Sequence, residues 1–221
     1  MLTWKIWLKR IGLAVVSCLL IVGFHSPVFG KMTAQVTQPL VQQSAEQQAE
    51  QQSAIASSFK EEANANLQTV KSVLMAQGMP SSGLKTYVAM MSKTNVVPAT
   101  PQTQALGTVG AVLSGDRLIV RGSFRNLSSP LRDYAIDPVN PPNPNITSAF
   151  HIHRGMASEN GPFQYALTVM LDDTGRSGSA MGEYTLTAEQ LTALENNMLY
   201  VDLHTTRNRA GELRAVLMPY E

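Results

Sequence analysis

The sequence predicts an all-β fold: an antiparallel β-sandwich or Greek-key arrangement with one short helix, over residues 106–221, behind an N-terminal helical or disordered extension. Three observations point to it. Apolar and polar residues alternate in short runs through this part of the chain. Clusters of Gly, Pro, Asn, Asp and Ser separate the runs. A helix-capping signal, Thr187-Ala-Glu-Gln190, falls between two of them and opens a helix to about Asn196, with Leu191 and Leu194 turned to the core. Short strands with one brief helix fit a sandwich better than a layered α/β fold.

Taken in order, the chain begins with an export signal over residues 1–30. Lys5, Lys9 and Arg10 precede an uncharged, mostly apolar run from Ile11 to Phe24, of signal-core length and short for a membrane span. Val28 and Gly30 offer a small-residue cleavage site, so the mature chain is expected to start near Lys31, with no stable membrane span after cleavage. A retained anchor is the alternative, because Trp4, Ile6, Trp7 and Leu8 lengthen the apolar stretch. Residues 31–57, rich in Gln, Ala and Ser, cannot bury a core and are expected to be disordered or loosely helical. Over residues 58–78, Phe59, Ala63, Leu67, Val70 and Leu74 share one helical face, and Gly78 and Pro80 end the helix. A lone amphipathic helix is marginal in water. It therefore docks on the domain or meets a protein partner.

Residues 79–105 read as a linker, with Tyr87–Met91 able to add a short helix or strand. Val109–Leu113 and Leu118–Phe124 flank Ser114-Gly-Asp116, a hairpin signature. Arg132–Asn145 contains four prolines and is a long loop. The remaining strand candidates are Ile146–His153, Gln164–Leu171, Gly178–Leu186, Leu199–Thr205 and Glu212–Met218.

Composition narrows the function. Cleavage near Lys31 leaves 14 basic and 16 acidic residues, a formal charge of −2, without the clustered Lys and Arg that nucleic acid requires. It also removes Cys18, the single cysteine, so the mature chain has neither disulfide nor thiolate chemistry. No Ser–His–acid elbow and no phosphate-binding glycine loop is present in the sequence.

Five ordered blocks carry a family resemblance: Phe150-His-Ile-His-Arg-Gly155, Asn160-Gly-Pro162, Tyr184-Thr-Leu-Thr-Ala-Glu-Gln190, Leu199-Tyr-Val-Asp-Leu-His-Thr205 and Gly211-Glu-Leu-Arg214. Together they resemble the chordin (CHRD) domain. Two positions depart from its pattern: Asp202 stands where Asn is usual, and Ala215 where a final Gly is usual. The resemblance implies a sandwich fold and an extracytoplasmic compartment (periplasm, lumen or outside the cell), more than any activity. The Gln-rich spacer with a single domain suggests a bacterial, even cyanobacterial, member.

The mature chain has three histidines, all within these blocks. His151 and His153 are two apart on a predicted strand, hence on one face and about 7 Å apart along the backbone. His204 ends another strand, Asp202 shares its face, and Glu212 returns toward it across the Thr205–Gly211 turn. His151, His153, His204 and Glu212 are therefore candidate ligands for copper or zinc. The alternative is a buried polar network in which Glu212, Asp202 or backbone groups pair each ring. Arg154, Arg207 and Arg209 are candidates for an anion-binding rim, or simply a solvated one. A His-x-His strand in a sandwich is also similar to copper–zinc superoxide dismutase, but this chain lacks that class's further histidines and its disulfide.

Two functions follow as expectations: an exported, non-enzymatic binding or structural module, or a metal-binding protein with a redox role open to it. N-terminal sequencing of the protein from its native host should begin near Lys31; an intact Met1 would overturn the export reading.

Overall fold

A computed structural model describes residues 38–78 and 82–220. The proposed signal segment and its cleavage site lie outside the described residues. The chain divides into two compact units, residues 1–44 and 45–221. Of the first, residues 38–44 are described and form the opening turns of helix α1 (Gln38–Ala76). All that follows belongs to the second. Among the described residues, no helix is long and apolar enough to cross a membrane.

Two antiparallel sheets face each other. The larger has the order β10-β1-β2-β3-β7-β6, formed by β1 (Lys85–Met91), β2 (Leu106–Ser114), β3 (Arg117–Arg125), β6 (Thr168–Leu171), β7 (Gly178–Thr185) and β10 (Met218–Pro219). The smaller has the order β5-β4-β8-β9, formed by β4 (Phe150–Arg154), β5 (Phe163–Ala166), β8 (Leu199–Leu203) and β9 (Leu213–Val216). Between them lie Tyr87, Met91, Val109, Leu118, Phe124, Phe150, Ile152, Val201 and Leu213, all buried. The predicted hairpin is present, with Ser114 paired to Arg117 across a two-residue turn. Helix α2 (Ala188–Glu195) carries the full capping box: the Gln190 N–H donates to Thr187 Oγ1 at 3.2 Å and the Thr187 N–H to Gln190 Oε1 at 2.9 Å.

Several boundaries differ from the sequence expectation. Lys85–Met91, placed in the linker, is an internal strand between β2 and β10, because Tyr87, Ala89 and Met91 alternate into the core. Gln164–Leu171 is not one strand. At the buried Leu167 the chain leaves the small sheet for the large one, its N–H donating to the Phe150 carbonyl at 2.9 Å. Glu212–Met218 divides in the same way at the buried Leu217, whose N–H donates to the Leu199 carbonyl at 3.0 Å. These crossings occur where one apolar side chain enters the core while the backbone changes partners.

Helix α1 begins at Gln38, well before the expected start at residue 58, so the later part of the glutamine-rich segment is helical. Side chains 46–58 are all exposed there. From Phe59 onward the apolar face is buried, with Leu67, Val70 and Leu74 packed on Val112 and Ile119 of the large sheet's outer surface. Polar contacts set the register: Asn66 Nδ2 donates to Thr108 Oγ1 at 3.1 Å and Ser123 Oγ at 2.9 Å, and Arg117 to Gln77 Oε1 at 2.6 Å. Glu62 pairs with Arg125, whose guanidinium lies over the Phe59 ring.

The close approach requires Gly110. A Cβ there would fall 2.7 Å from the Leu67 Cα, and neither backbone can yield without moving the helix. Gly110→Ala should destabilise the protein by about 1–3 kcal/mol, as overpacking does, and expose the 59–77 segment to limited proteolysis. Unchanged urea midpoint and cleavage pattern would show that the helix is not seated there.

Candidate metal centre

The site grows from the pleat of two neighbouring strands. In β8, Leu199, Val201 and Leu203 enter the core, so Tyr200 and Asp202 face the other way. In β4, Phe150 and Ile152 enter the core, so His151 and His153 face the same outer side as Asp202. Antiparallel pairing sets His151 opposite Asp202 and His153 opposite Tyr200; on the other flank it sets Arg214 of β9 opposite Asp202. His204 continues the alternation just past β8, held by its N–H to the Ala149 carbonyl at 2.9 Å.

One nitrogen of each imidazole is committed to a backbone carbonyl. His151 Nε2 lies 2.5 Å from Ser148 O, His153 Nδ1 3.0 Å from Gly161 O, and His204 Nδ1 2.9 Å from Arg209 O. A carbonyl only accepts, so each of these nitrogens carries the proton and, in a neutral ring, the other nitrogen is a lone pair. All three remaining nitrogens turn to Asp202 Oδ1: His204 Nε2 at 3.0 Å, His153 Nε2 at 3.2 Å and His151 Nδ1 at 3.9 Å. His153 Nε2 is buried and off the line a hydrogen bond needs. One ligand atom from each of the four residues lies within 4.8 Å of all the others. Ligands about 2.0 Å from a tetrahedral zinc ion stand about 3.3 Å apart, within the range of the three contacts on Oδ1. A backbone carbonyl holding the second nitrogen of each ring is the outer support that metal-ligating histidines use.

The surroundings are tightly built. His153 stacks on Tyr200 (5.3 Å between centroids, 6° between planes), and Phe163 of β5 sets its edge against His151 at 5.3 Å. Tyr134, from the proline-rich loop, packs on His151 at 5.3 Å and His204 at 6.3 Å. Arg214 places its guanidinium 4.4 Å from the Tyr200 ring centre and donates to Asp202 Oδ2 at 3.3 Å, Glu159 O at 3.0 Å and Asn160 Oδ1 at 2.7 Å. The 155–162 loop reaches Arg214 and His153 because residue 161 is glycine: a Cβ there would collide with the Arg154 carbonyl. His151, Asp202 and His204 retain 2%, 1% and 8% of their accessible surface.

This environment separates the titrations. Burial, and then the charge of His204, push His151 down to about 3. Burial also opposes charge on His153, but the Asp202 carboxylate and the Gly161 carbonyl outweigh it and leave that pKa raised. Burial alone would push Asp202 up; His204 and His153 reverse this and hold its carboxyl well below the usual range. Burial pushes the Tyr134 phenol up to about 12.

The three sequence-predicted histidines are brought together, but Glu212 stands outside their cluster and Asp202 supplies its carboxylate. The β8–β9 ladder ends at Leu203 and Leu213, so the pleat no longer dictates which way Glu212 points. It turns instead to Thr205 and ties three segments together, accepting from Thr103 Oγ1 (2.5 Å), the Ser128 N–H and Oγ (2.7 and 2.8 Å), Thr205 Oγ1 (2.6 Å) and Asn208 Nδ2 (3.0 Å). The arginine rim does not converge either. Arg154 pairs with Glu189, Arg209 pairs with Asp137, and Arg207 is exposed with its backbone N–H on Ser129 Oγ at 3.0 Å. Two contributors went unrecognised in the sequence. Arg214 was legible in principle, since it lies two residues after Glu212 in the last block; Tyr134 had no sequence signal within its loop.

The class the fold and site define is an antiparallel two-sheet β module with this cluster on the outer face of its smaller sheet. The model of the CHRD domain matches residues 87–217, and the chain belongs to the CHRD-domain family. The match begins at Tyr87, inside β1, which places the first strand within the domain. Comparison with curated proteins and with solved structures gives no match.

Glu212 generates a pH prediction. Its pKa is lowered: burial opposes the charge, but the hydroxyl and amide donors overcome it. A carboxylate depressed in the folded state contributes stability above its ordinary value, 4.5, and loses it as pH falls through the folded pKa. Glu212→Gln should cost about 1–3 kcal/mol at neutral pH and flatten stability against pH below 4.5. Urea titrations whose two curves stay parallel through the acid range would refute this.

Proposed function

We propose that this protein is an extracytoplasmic binding or structural module whose CHRD domain holds one transition-metal ion, zinc or copper, on His151, His153, Asp202 and His204. The observation that carries the reading is the convergence of three imidazole nitrogens on one carboxylate oxygen, the other nitrogen of each ring held by a backbone carbonyl. In neutral rings these nitrogens are lone pairs, and four acceptors facing one another call for a cation between them, a proton or a metal ion. A proton on His153, whose pKa Asp202 raises, answers this in part, but His151 stays neutral down to a pKa of about 3. Nitrogen-rich donors favour zinc or copper over calcium or magnesium, which take oxygen. Four protein ligands in a buried setting match a structural centre more than a catalytic one, which keeps a position open. Family membership supports the extracytoplasmic placement, as does the N-terminal basic and apolar run.

Elemental analysis of protein purified without a histidine tag should find about one equivalent of zinc or copper. At a free ion concentration of a hundred times Kd, the metal should add about 2.7 kcal/mol of stability. His151→Ala, His153→Ala and His204→Ala should each abolish both effects, and Asp202→Asn should weaken them. Wild-type protein that takes up neither ion, with no rise in Tm in their presence, would leave the cluster as a hydrogen-bonded network and retire the metal reading.

A further inference from the structure

We infer that the proline-rich loop is a lid over the histidine cluster and that Tyr134 is the gate through which a metal ion reaches it. This rests on the metal reading above and adds how the site is loaded. The cluster's walls differ in what carries them. Phe163, Tyr200 and Arg214 belong to strands β5, β8 and β9 and are held by the sheet's hydrogen bonds. The floor is β4 and β8 themselves. Tyr134 alone among these walls sits on a loop, and its ring covers the two ligands His151 and His204.

Tyr134 itself lines a pocket formed by the loop. Ligand pockets span roughly 300–1,000 Å³, and this one measures ≈ 460 Å³, lined also by Asp133, Pro138, Val139, Pro142 and Ile146 of the same loop. The prolines limit the loop's backbone freedom, so this space is framed by stiff segments. Rotation of the phenol into it would open the cluster without disturbing the sheet.

The closed position is latched. Arg132 places its guanidinium 4.5 Å from the Tyr134 ring centre and pairs with Asp137 at 2.9 Å, and its backbone N–H donates to the His204 carbonyl at 3.1 Å. Asp137 also pairs with Arg209. The Arg209 carbonyl is the group that accepts from His204 Nδ1. Lid closure and the orientation of one ligand are thus joined through a single residue.

Stopped-flow uptake of zinc, and its release to a chromogenic chelator, test this on the full mature chain. Tyr134→Ala should accelerate uptake and release together by about ten-fold, equivalent to roughly 1.4 kcal/mol off a common barrier, with Kd nearly unchanged. Tyr134→Phe, which keeps the ring, should behave as wild type. Asp137→Asn, which leaves every wall in place and weakens the latch, should fall between them. Equal rates for wild type and Tyr134→Ala would overturn the gate, as would faster release with unaltered uptake, the mark of a weakened site. Binding with ungated kinetics leaves the metal reading standing; no binding by wild type removes both.

Discussion

The charge on Asp202 governs the architecture of the smaller sheet. Removing a carboxylate from water costs several kcal/mol unless cations and donors surround it, and Asp202 lies on a strand buried on both faces. Its two oxygens divide the task. Oδ2 receives Arg214 from the neighbouring strand, and Oδ1 faces the three histidine nitrogens. Each partner then imposes its own needs. The histidines require the carbonyls of Ser148, Gly161 and Arg209, so three separate loops are drawn to the same surface. Arg214 requires Glu159 and Asn160, which fix the 155–162 loop. The loops cover the outer face because the buried charge must be answered.

Glu212 solves the same problem differently. Among the described residues it pairs with no cation and relies on neutral donors from the 103, 128 and 205–208 segments. Such an arrangement favours an ionised carboxylate through hydrogen bonds and holds loops in place. It leaves no converging lone pairs for an ion. Two buried carboxylates ten residues apart in sequence thus take different roles, one at a convergence of imidazoles and one at a junction of loops.

The larger sheet is covered by the helix. Its outer surface over β2 and β3 presents Val112 and Ile119, and the second half of α1 lies on them, with Gly110 admitting the helix backbone. Of the two expectations for the helical face, docking on the domain or a protein partner, the apolar stripe at Leu67, Val70 and Leu74 takes the first. Residues 46–58 of the same helix have exposed side chains, consistent with their Gln, Ala and Ser composition.

Much of this was legible in the sequence, and the reasons are local. Strand alternation has a strict period of two, so His151 and His153 had to share one face of their strand, and Asp202 and His204 one face of theirs. The capping box, the 114–117 hairpin and the apolar stripe of α1 are likewise written within a few residues of themselves. The family pattern even marked Asp202 by its departure from Asn. Tertiary structure decided whatever depends on where a strand stops or which strand it meets. Leu167 and Leu217 transfer the chain between sheets, which no local pattern records because both sit in ordinary apolar runs. Glu212 faces away from His204 because the ladder ends one residue too early for the pleat to carry it. Arg214 reaches Asp202 only through cross-strand register, and Tyr134 reaches the histidines only through the path of a long loop. By itself the sequence determined the faces; three-dimensional pairing decided which faces meet, because contacts between distant segments are set by packing and not by local periodicity.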